Sequence, residues 1–169
     1  MVVDALARRL GVSLRKKLFR SYSAGKATHE GRNVHLVKPL SFMNNSGRAV
    51  REALRETGSA LSDLLVVCDS LDLSPGTVRL KTKGSSGGQK GLQSIIRSLG
   101  TEDFMRLAIG IGRPGRKDQV IDHVLGPPRR HEEDLIASAV EKAAEAALML
   151  LTDGPARVMN AVNRKEPPS

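Results

Sequence analysis

Apolar residues recur every three or four positions along four stretches of the chain, which is the spacing of one helix face. The pattern predicts helices over residues 1–10, 49–57 and 92–99, and a last helix from Glu132 to about Leu151. A glycine follows each of the first three stretches, as is common just past a helix end. The last stretch has an alanine-rich body, and we expect that helix to stop before the Gly-Pro pair at 154 and 155.

Short apolar or alternating runs lie between the helices and predict strands. They cover residues 18–26, 33–37, 64–68, 78–81 and 107–111. The turn-prone sequence Glu30-Gly31-Arg32 indicates that the first two runs form a hairpin or neighbouring strands. Residues 64–68 are continuously apolar, which is typical of a strand buried on both faces.

The alternation of strands and helices predicts an α/β fold. We expect a single domain with a mixed, largely parallel twisted sheet flanked by helices. In such sheets, binding sites lie at the carboxyl ends of the strands. A length of 169 residues suits one domain.

Composition excludes several classes of protein. Hydrophobic residues make up 40% and charged residues 27%, so a disordered or collagenous chain is excluded. No apolar run approaches the ~18 residues that a membrane-spanning helix needs, and no signal-peptide pattern follows Met1, so we expect no membrane association. Cys68 is the single cysteine, which rules out an internal disulfide.

Charge gives the first indication of a partner. The chain carries 27 Lys and Arg against 18 Asp and Glu, a net charge of +9. Eleven of the basic residues lie between residues 79 and 130, where only four acidic residues occur. Either a polyanion such as nucleic acid binds this surface or the surface is merely solvated. With three Phe, one Tyr and no Trp, a nucleic acid would be held by its phosphates rather than by stacked bases.

Three polar segments end a strand or open a helix, and we expect them to share one cleft: residues 42–47, 68–72 and 84–91. Asn44 either orients an amide or belongs to a turn. Asp69 either orients a histidine or a water molecule, or caps a turn. The glycine-rich segment 84–91 either approaches phosphate or is a flexible turn, and it lacks the P-loop spacing.

Cys68 is expected to be an inert buried thiol. The four histidines lack metal-ligand spacing, so we predict no metal site.

Taken together, these segments resemble the bacterial-type peptidyl-tRNA hydrolase family. The matching sequences are Phe42-Met43-Asn44-Asn45-Ser46-Gly47, Asp69-Ser70-Leu71-Asp72-Leu73-Ser74-Pro75-Gly76, the glycine-rich segment, and residues 106–115. They match in order and spacing, and the resemblance covers essentially the whole chain. It implies that family's fold and an enzyme that cuts the ester between peptide and tRNA with a histidine-activated water. It also implies that no metal or other cofactor takes part.

The resemblance also implies roles for individual residues. Asp69 would be catalytic by orienting the histidine, Asn44 would hold the peptide main chain, and Met43 would line the pocket. Lys90 stands where the family usually has a substrate-orienting asparagine. Four basic residues match or neighbour positions that grip tRNA phosphate: Lys81, Arg79, Lys83 and Arg113. The stretch 116–125 resembles the family's mobile lid.

The resemblance begins within the family's first helix. We therefore assign residues 1–165 to a domain lacking the family's first strand and 166–169 to a tail, and none of the four histidines aligns with the catalytic one. Two functions follow. The first is peptidyl-tRNA hydrolysis, which recycles tRNA in translation. The second, favoured by Lys90 and by Ala108 in place of a basic residue, is binding of tRNA, the ribosome or intron RNA without catalysis. We expect a monomer, cytoplasmic or, in a eukaryote, mitochondrial or plastid.

Overall fold

The computed structural model describes residues 1–114, 126 and 132–164. Four helices are present in this part of the chain: α1 (Val2–Arg9), α2 (Ser46–Thr57), α3 (Lys90–Leu99) and α4 (Glu133–Val162). The strands are β1 (Arg15–Lys16), β2 (Tyr22–His29), β3 (Arg32–Pro39), β4 (Leu65–Ser70), β5 (Val78–Lys81) and β6 (Met105–Gly110). Short 3₁₀ turns, Met43–Asn45 and Leu61–Asp63, precede α2 and β4. The predicted α/β class and the approximate position of each predicted element are confirmed.

The strands form two three-stranded sheets, ordered β1-β2-β3 and β4-β6-β5. β4 and β6 are parallel, and every other pairing of the described strands is antiparallel. The expected mixed sheet is present, but the expectation that it is largely parallel was wrong for this part of the chain. The cause is local for β2 and β3: Glu30 and Gly31 both have positive φ (48° and 73°), and a two-residue turn of this kind closes an antiparallel hairpin.

Helices α2 and α3 pack closely on one side of the strands, and Gly47 makes this possible. A Cβ at position 47 would collide with the backbone oxygen of Ser94 and with the Ser98 hydroxyl, both on α3. The Gly47 N–H accordingly donates to Ser94 Oγ at 3.0 Å. The close crossing brings the turn before α2 next to the start of α3.

Helices α1 and α4 lie on the other side, where they build the main core against β5 and β6. Leu80, Leu107, Ala143 and Val158 are fully buried in it. A smaller core of Leu92, Ile95 and Phe104 lies beneath α3. None of the described helices combines the length and apolar character that a membrane span requires.

The last helix does not stop where the sequence indicated. The chain breaks at Gly154 (φ 75°, ψ 168°), and helical structure then continues to Val162. The expectation was wrong because proline is well tolerated in the first turn of a helix, so Pro155 starts the second segment instead of ending the first. Just beyond this segment, the Asn163 side chain accepts from Leu80 N–H (2.8 Å) and donates to Leu80 O (2.9 Å), which covers the outer edge of β5.

Candidate active site

Three segments meet at the carboxyl end of β4, as expected from the sequence. The Gln89 amide lies at the centre: its Nε2 donates to Asp69 Oδ1 at 2.9 Å and lies 3.5 Å from Met43 Sδ. Met43 comes from the turn before α2, Asp69 from β4, and Gln89 from the residue before α3. The resulting cluster places a carboxylate, an amide and a thioether side by side.

The Gln89 side chain is fixed from both ends. Its Oε1 accepts the Leu92 N–H at 2.7 Å and so caps the start of α3. Since that oxygen is occupied by a donor, the NH₂ group of the same amide must face Asp69. Sequence reasoning missed Gln89 and chose its neighbour Lys90, because Lys90 stands where the family usually has a substrate-orienting asparagine. Glutamine is also not among the residues favoured at helix N-caps.

Met43 is held beside Gln89 by the local backbone. Ser46 Oγ donates to Met43 O at 2.8 Å and steadies the turn. A Cβ on Gly91 would lie 2.9 Å from Gln89 Oε1 and 3.1 Å from Met43 Cγ, so glycine leaves room for both side chains. The side chains of residues 42–47 and of the glycine-rich segment therefore fit against each other at this point.

Asn44 and Lys90 lie outside this cluster. Both side chains are exposed, and within the described part of the chain neither makes a hydrogen bond to Asp69, Gln89 or Met43. Their assignment to the substrate remains a prediction.

The four residues predicted to grip phosphate have different surroundings. Lys81 ends β5 and Lys83 follows it in the loop, and both are exposed. Arg79 is half-buried opposite Ala108 on β6. Arg113 donates to Asp72 Oδ1 from Nη2 (2.5 Å) and Nε (3.2 Å), so part of its charge is already balanced. Lys81 and Lys83 are the more available cations of this set.

Arg106 counts toward the basic excess but faces inward, with 3% of its surface exposed. Its guanidinium donates to the carbonyls of Gly84, Ser85 (2.9 Å) and Glu102 (2.8 Å) and lies over the Phe104 ring. Burial lowers the pKa of this guanidinium from its usual value. Arg106 therefore holds the glycine-rich segment in place and is not available to a polyanion.

The cluster lies at one end of a large cavity of about 1110 Å³, which Met43, Asp69 and Gln89 help to line. Every residue of β4 lines this cavity or lies half-buried beside it. The expectation that residues 64–68 form a strand buried on both faces was therefore wrong in this structure, because one edge of β4 is open to the cavity.

Cys68 is the half-buried neighbour of Asp69. Burial, reinforced by the charge of Asp69, raises the pKa of its thiol to about 12. The thiol is protonated at neutral pH, as expected for an inert cysteine.

Two expectations fall on residues outside the described part of the chain: the lid at 116–125 and the tail at 166–169. Among the described residues, no group of three or more His, Cys, Asp or Glu side chains is arranged to hold a metal ion.

Comparison with known proteins gives a consistent answer. The family model described as peptidyl-tRNA hydrolase matches residues 1–169. The peptidyl-tRNA hydrolase of Halalkalibacterium halodurans is 42% identical over 163 residues, covering 96% of this chain and 87% of the relative. That of Symbiobacterium thermophilum is 44% identical over 164 residues, with the same coverage of both chains.

Solved structures agree with the sequence comparison. The crystal structure of peptidyl-tRNA hydrolase from Acinetobacter baumannii superposes with a TM-score of 0.91 at 34% identity, covering 99% of this chain and 85% of that one. The superposed region therefore includes the helices and strands of the described part of the chain. On sequence, on fold and over its whole length, this chain belongs to the peptidyl-tRNA hydrolase family.

Proposed function

We propose that this protein hydrolyses the ester that joins a peptide to tRNA and so returns tRNA to translation. Its place in the peptidyl-tRNA hydrolase family supports this substrate. The single observation that carries the proposal is the Asp69 carboxylate, which a fixed amide orients beside Met43 in the lining of the cavity.

The Asp69 carboxylate is equipped to orient a base. Oδ1 accepts from Gln89, and no described residue donates to Oδ2. A carboxylate with one oxygen anchored and the other available can accept the N–H of a histidine and fix its orientation. The histidine that the family resemblance implies would then take a proton from water.

With that histidine as the base, the proposed step uses water as its second reactant. Water oxygen bonds to the ester carbonyl carbon, the bond from that carbon to the ribose oxygen breaks, and the ribose oxygen takes up the proton that the base removed. The second proton of the water stays on the new carboxyl group, which loses it to solvent, so the products are a free peptide carboxylate and tRNA with a free terminal hydroxyl. Met43 would contact the peptide beside the scissile bond, with Asn44 and Lys90 at the rim.

The tRNA would approach along the loop that joins β5 to α3. Lys81 and Lys83 open this loop and Gln89 ends it, so the cations and the cluster belong to one short segment held by Arg106. Phosphate contacts of this kind position a nucleic acid without reading its sequence.

The test replaces Asp69 by Asn and measures release of peptide from an N-blocked aminoacyl-tRNA together with binding of uncharged tRNA. Loss of an orienting carboxylate should slow release by roughly 100-fold or more. The tRNA dissociation constant should change less than about threefold, since no phosphate contact is lost. Asp63→Asn, at the opposite end of β4, is the matched control. Equal release by the Asp69 variant and the parent protein would overturn the proposal.

A second function is favoured by the position of the described histidines. His29 and His35 belong to the β2–β3 hairpin, and neither donates to Asp69. This observation supports binding of tRNA, the ribosome or another structured RNA without hydrolysis. Tight tRNA binding with no release of peptide by the parent protein would favour it over the first proposal.

A further inference from the structure

The turn between β1 and β2, residues 17–20, carries two large apolar side chains that face solvent. Leu18 is 80% exposed and Phe19 is 89% exposed. Of the three phenylalanines in the chain, Phe104 is buried and Phe42 lies in the cavity lining. Phe19 is therefore the phenylalanine whose ring is presented on a surface outside the cavity.

Phe19 also holds an unfavourable backbone conformation. Its φ is 58°, and the Arg20 N–H donates to Lys17 O at 3.2 Å, so Phe19 is the third residue of a four-residue turn. Glycine or asparagine is favoured at such a position, whereas a bulky side chain is strained there. Neither the strain nor the exposure of the ring stabilises the fold, so folding alone gives no reason for a phenylalanine here.

Both ends of the turn are fixed to α2 through Glu56. Its Oε1 accepts from Lys17 Nζ at 2.7 Å. Its Oε2 accepts from Tyr22 Oη at 2.7 Å and lies 3.5 Å from Arg20 Nε. The Lys17 N–H also donates to Tyr22 O at 3.1 Å, and the Tyr22 side chain is buried. The turn is thus ordered before any partner arrives, which lowers the entropic cost of binding.

Cations surround this turn. Between Asp4 and Glu30 the chain holds seven Lys and Arg and no acidic residue. Arg15 and Lys16 of β1 are exposed, and in the part of the chain that the structure describes no acidic side chain pairs with either of them. As neighbours on a strand they point to opposite faces of the sheet. A polyanion that crosses the turn therefore meets a cation on each side.

An exposed ring with flanking cations matches a nucleic acid better than other polyanions. A base offers a planar face that stacks on an aromatic ring, and phosphates precede and follow it. An acidic peptide would use the cations but not the ring. A bilayer fits less well, because Leu18 and Phe19 are the two apolar residues of the stretch 15–20 and such a small apolar surface attaches only weakly to lipid.

We propose that the β1–β2 turn binds an unpaired segment of RNA, with one base stacked on the Phe19 ring and the adjacent phosphates held by Arg15 and Lys16. The base is unpaired because a paired base does not offer its face to a side chain. The chain has too few aromatic residues for a row of stacked bases, but one stacked base needs only one ring.

This contact goes beyond the proposed function. The turn belongs to the sheet β1-β2-β3, whereas Asp69 and Lys81 lie on strands of the other sheet. RNA is favoured over DNA because the chain belongs to a family named for a tRNA substrate. The contact does not require hydrolysis of an ester.

The test measures binding of the full chain to a fluorescein-labelled oligouridylate of eight nucleotides by fluorescence anisotropy. Phe19→Asn removes the ring and suits the left-handed backbone. We expect this variant to bind at least about fivefold more weakly, because stacking of a base is lost. Its melting temperature should equal or exceed that of the parent protein, because the strain at position 19 is relieved. A residue with a purely structural role would lower the melting temperature instead.

Two further variants of the turn separate stacking from general apolar contact. Phe19→Leu keeps an apolar side chain at the same strained position, and its affinity should fall as it does in Phe19→Asn. Leu18→Ala is the matched control, because Leu18 is similarly exposed in the same turn. Its affinity for the oligouridylate should change less than about twofold.

The phosphate contacts are tested by the salt dependence of the same binding. Arg15→Ala and Lys16→Ala should each make the slope of log affinity against log salt shallower by about 0.7, the value for one phosphate of a single strand. Arg97→Ala, at an exposed position of α3, removes the same charge away from the turn and should leave the slope unchanged.

Four outcomes would overturn the proposal. One is an unchanged affinity of both Phe19 variants for the oligouridylate. Another is an equal loss of affinity in Leu18→Ala. The third is binding of the parent protein to vesicles of phosphatidylserine and phosphatidylcholine that Phe19→Asn abolishes while RNA affinity is unchanged, because the turn would then be a lipid contact. The fourth is a dimer of the parent protein that Phe19→Asn dissociates, because a second copy would then cover the turn. None of these readouts involves peptide release, so the proposed function succeeds or fails separately.

Discussion

Asp69 illustrates how much of a site can be anticipated at the scale of single residues. Its position after an apolar strand identified it as a candidate site residue from the sequence alone, because side chains at the ends of parallel strands gather at one edge of a sheet. Its partner could not be anticipated in the same way. Gln89 acts through two hydrogen bonds to residues 20 positions before it and three after it, and only the folded structure brings these together.

The first prediction concerns Gln89→Glu. The replacement keeps the oxygen that caps α3 but sets a second carboxylate against Asp69, where the amide nitrogen now lies 2.9 Å from Oδ1. Like charges at this distance raise the pKa of the pair above its value in the unfolded chain. The loss of unfolding free energy in the variant is therefore smallest at acidic pH, and it grows as pH rises through the raised pKa. We expect a deficit of about 1–3 kcal/mol in unfolding free energy at pH 8 that shrinks by pH 5.

Urea unfolding at the two pH values measures this difference. Gln93→Glu, on the exposed side of α3, controls for adding one negative charge to the same helix. A deficit of equal size at pH 5 and pH 8 would contradict the assigned contact between Gln89 and Asp69.

Arg106→Met tests the clamp on the glycine-rich segment. The substitution leaves the carbonyls of Gly84, Ser85 and Glu102 without their donor. Because a hydrogen bond to a charged group is worth about 1.5–3 kcal/mol and three such bonds are lost, we expect a loss of roughly 3 kcal/mol or more in unfolding free energy. Arg106→Lys should recover only part of it, since an ammonium cannot reproduce the guanidinium fork.

Denaturant unfolding of Arg97→Met provides the matched control, because Arg97 is exposed on α3. Its unfolding free energy should stay within about 0.5 kcal/mol of the parent protein. If Arg106→Met were equally mild, Arg106 would not be the residue that holds the loop.

At the scale of elements, prediction succeeded where the signal was local. The ends of α2 and α3 follow from Gly58 and Gly100, both of which adopt the left-handed conformation that closes a helix. The β2–β3 hairpin follows from its two-residue turn. The continuation of α4 past Gly154 depends instead on packing of Val158 in the core and on Asn163 at β5, which are contacts distant in sequence.

The hairpin is joined to α2 by a polar group centred on Glu56. Glu56 Oε2 accepts from Tyr22 Oη at 2.7 Å, and Oε1 accepts from Lys17 Nζ at 2.7 Å. The Lys17 and Tyr22 hydrogen bonds lower the pKa of Glu56 to about 2. Burial, together with Glu56, raises the pKa of Tyr22 to about 12, so Tyr22 remains a donor at neutral pH.

Glu56→Gln should therefore change the acid sensitivity of the protein. A carboxyl group with a depressed folded pKa stabilises the fold above its ordinary pKa of 4.5 and loses that contribution as pH falls toward 2. We expect the melting temperature of the parent protein to exceed that of the variant at pH 7, and the two to converge between about pH 4.5 and pH 2.

Thermal unfolding followed by circular dichroism across this range measures the convergence. Glu145→Gln, at an exposed position of α4, controls for the loss of one negative charge. A melting-temperature difference that persists at pH 2 would show that Glu56 does not link the hairpin to α2 through its charge.

At the scale of the whole molecule, the sequence predicted the class of fold and the family but not the division into two sheets. Strand order depends on pairings such as β4 with β6, which join residues about 40 positions apart. The cavity between the sheets is a property of that arrangement, so no pattern within residues 64–68 could reveal it. The net charge of +9, by contrast, could be counted directly from the sequence. Arg106 and Arg113 contribute to that charge, but both make hydrogen bonds within the protein.

The last prediction concerns the charge that remains available to RNA. Lys81 is exposed at the end of β5, and no described acid pairs with it. If Lys81 contacts a tRNA phosphate, the Lys81→Ala variant displaces one counterion fewer from the tRNA when it binds. The slope of log affinity against log salt should then become shallower by about one unit, with weaker binding at low salt.

Lys26→Ala separates this contact from a general effect of charge. Lys26 is exposed on β2, in the other sheet, and its loss changes the net charge by the same amount. Long-range attraction alone would shift both variants equally, because screening acts on net charge without regard to position. A shallower slope for Lys81→Ala alone therefore places the RNA at the loop between β5 and α3, whereas identical slopes for both variants would contradict that interface.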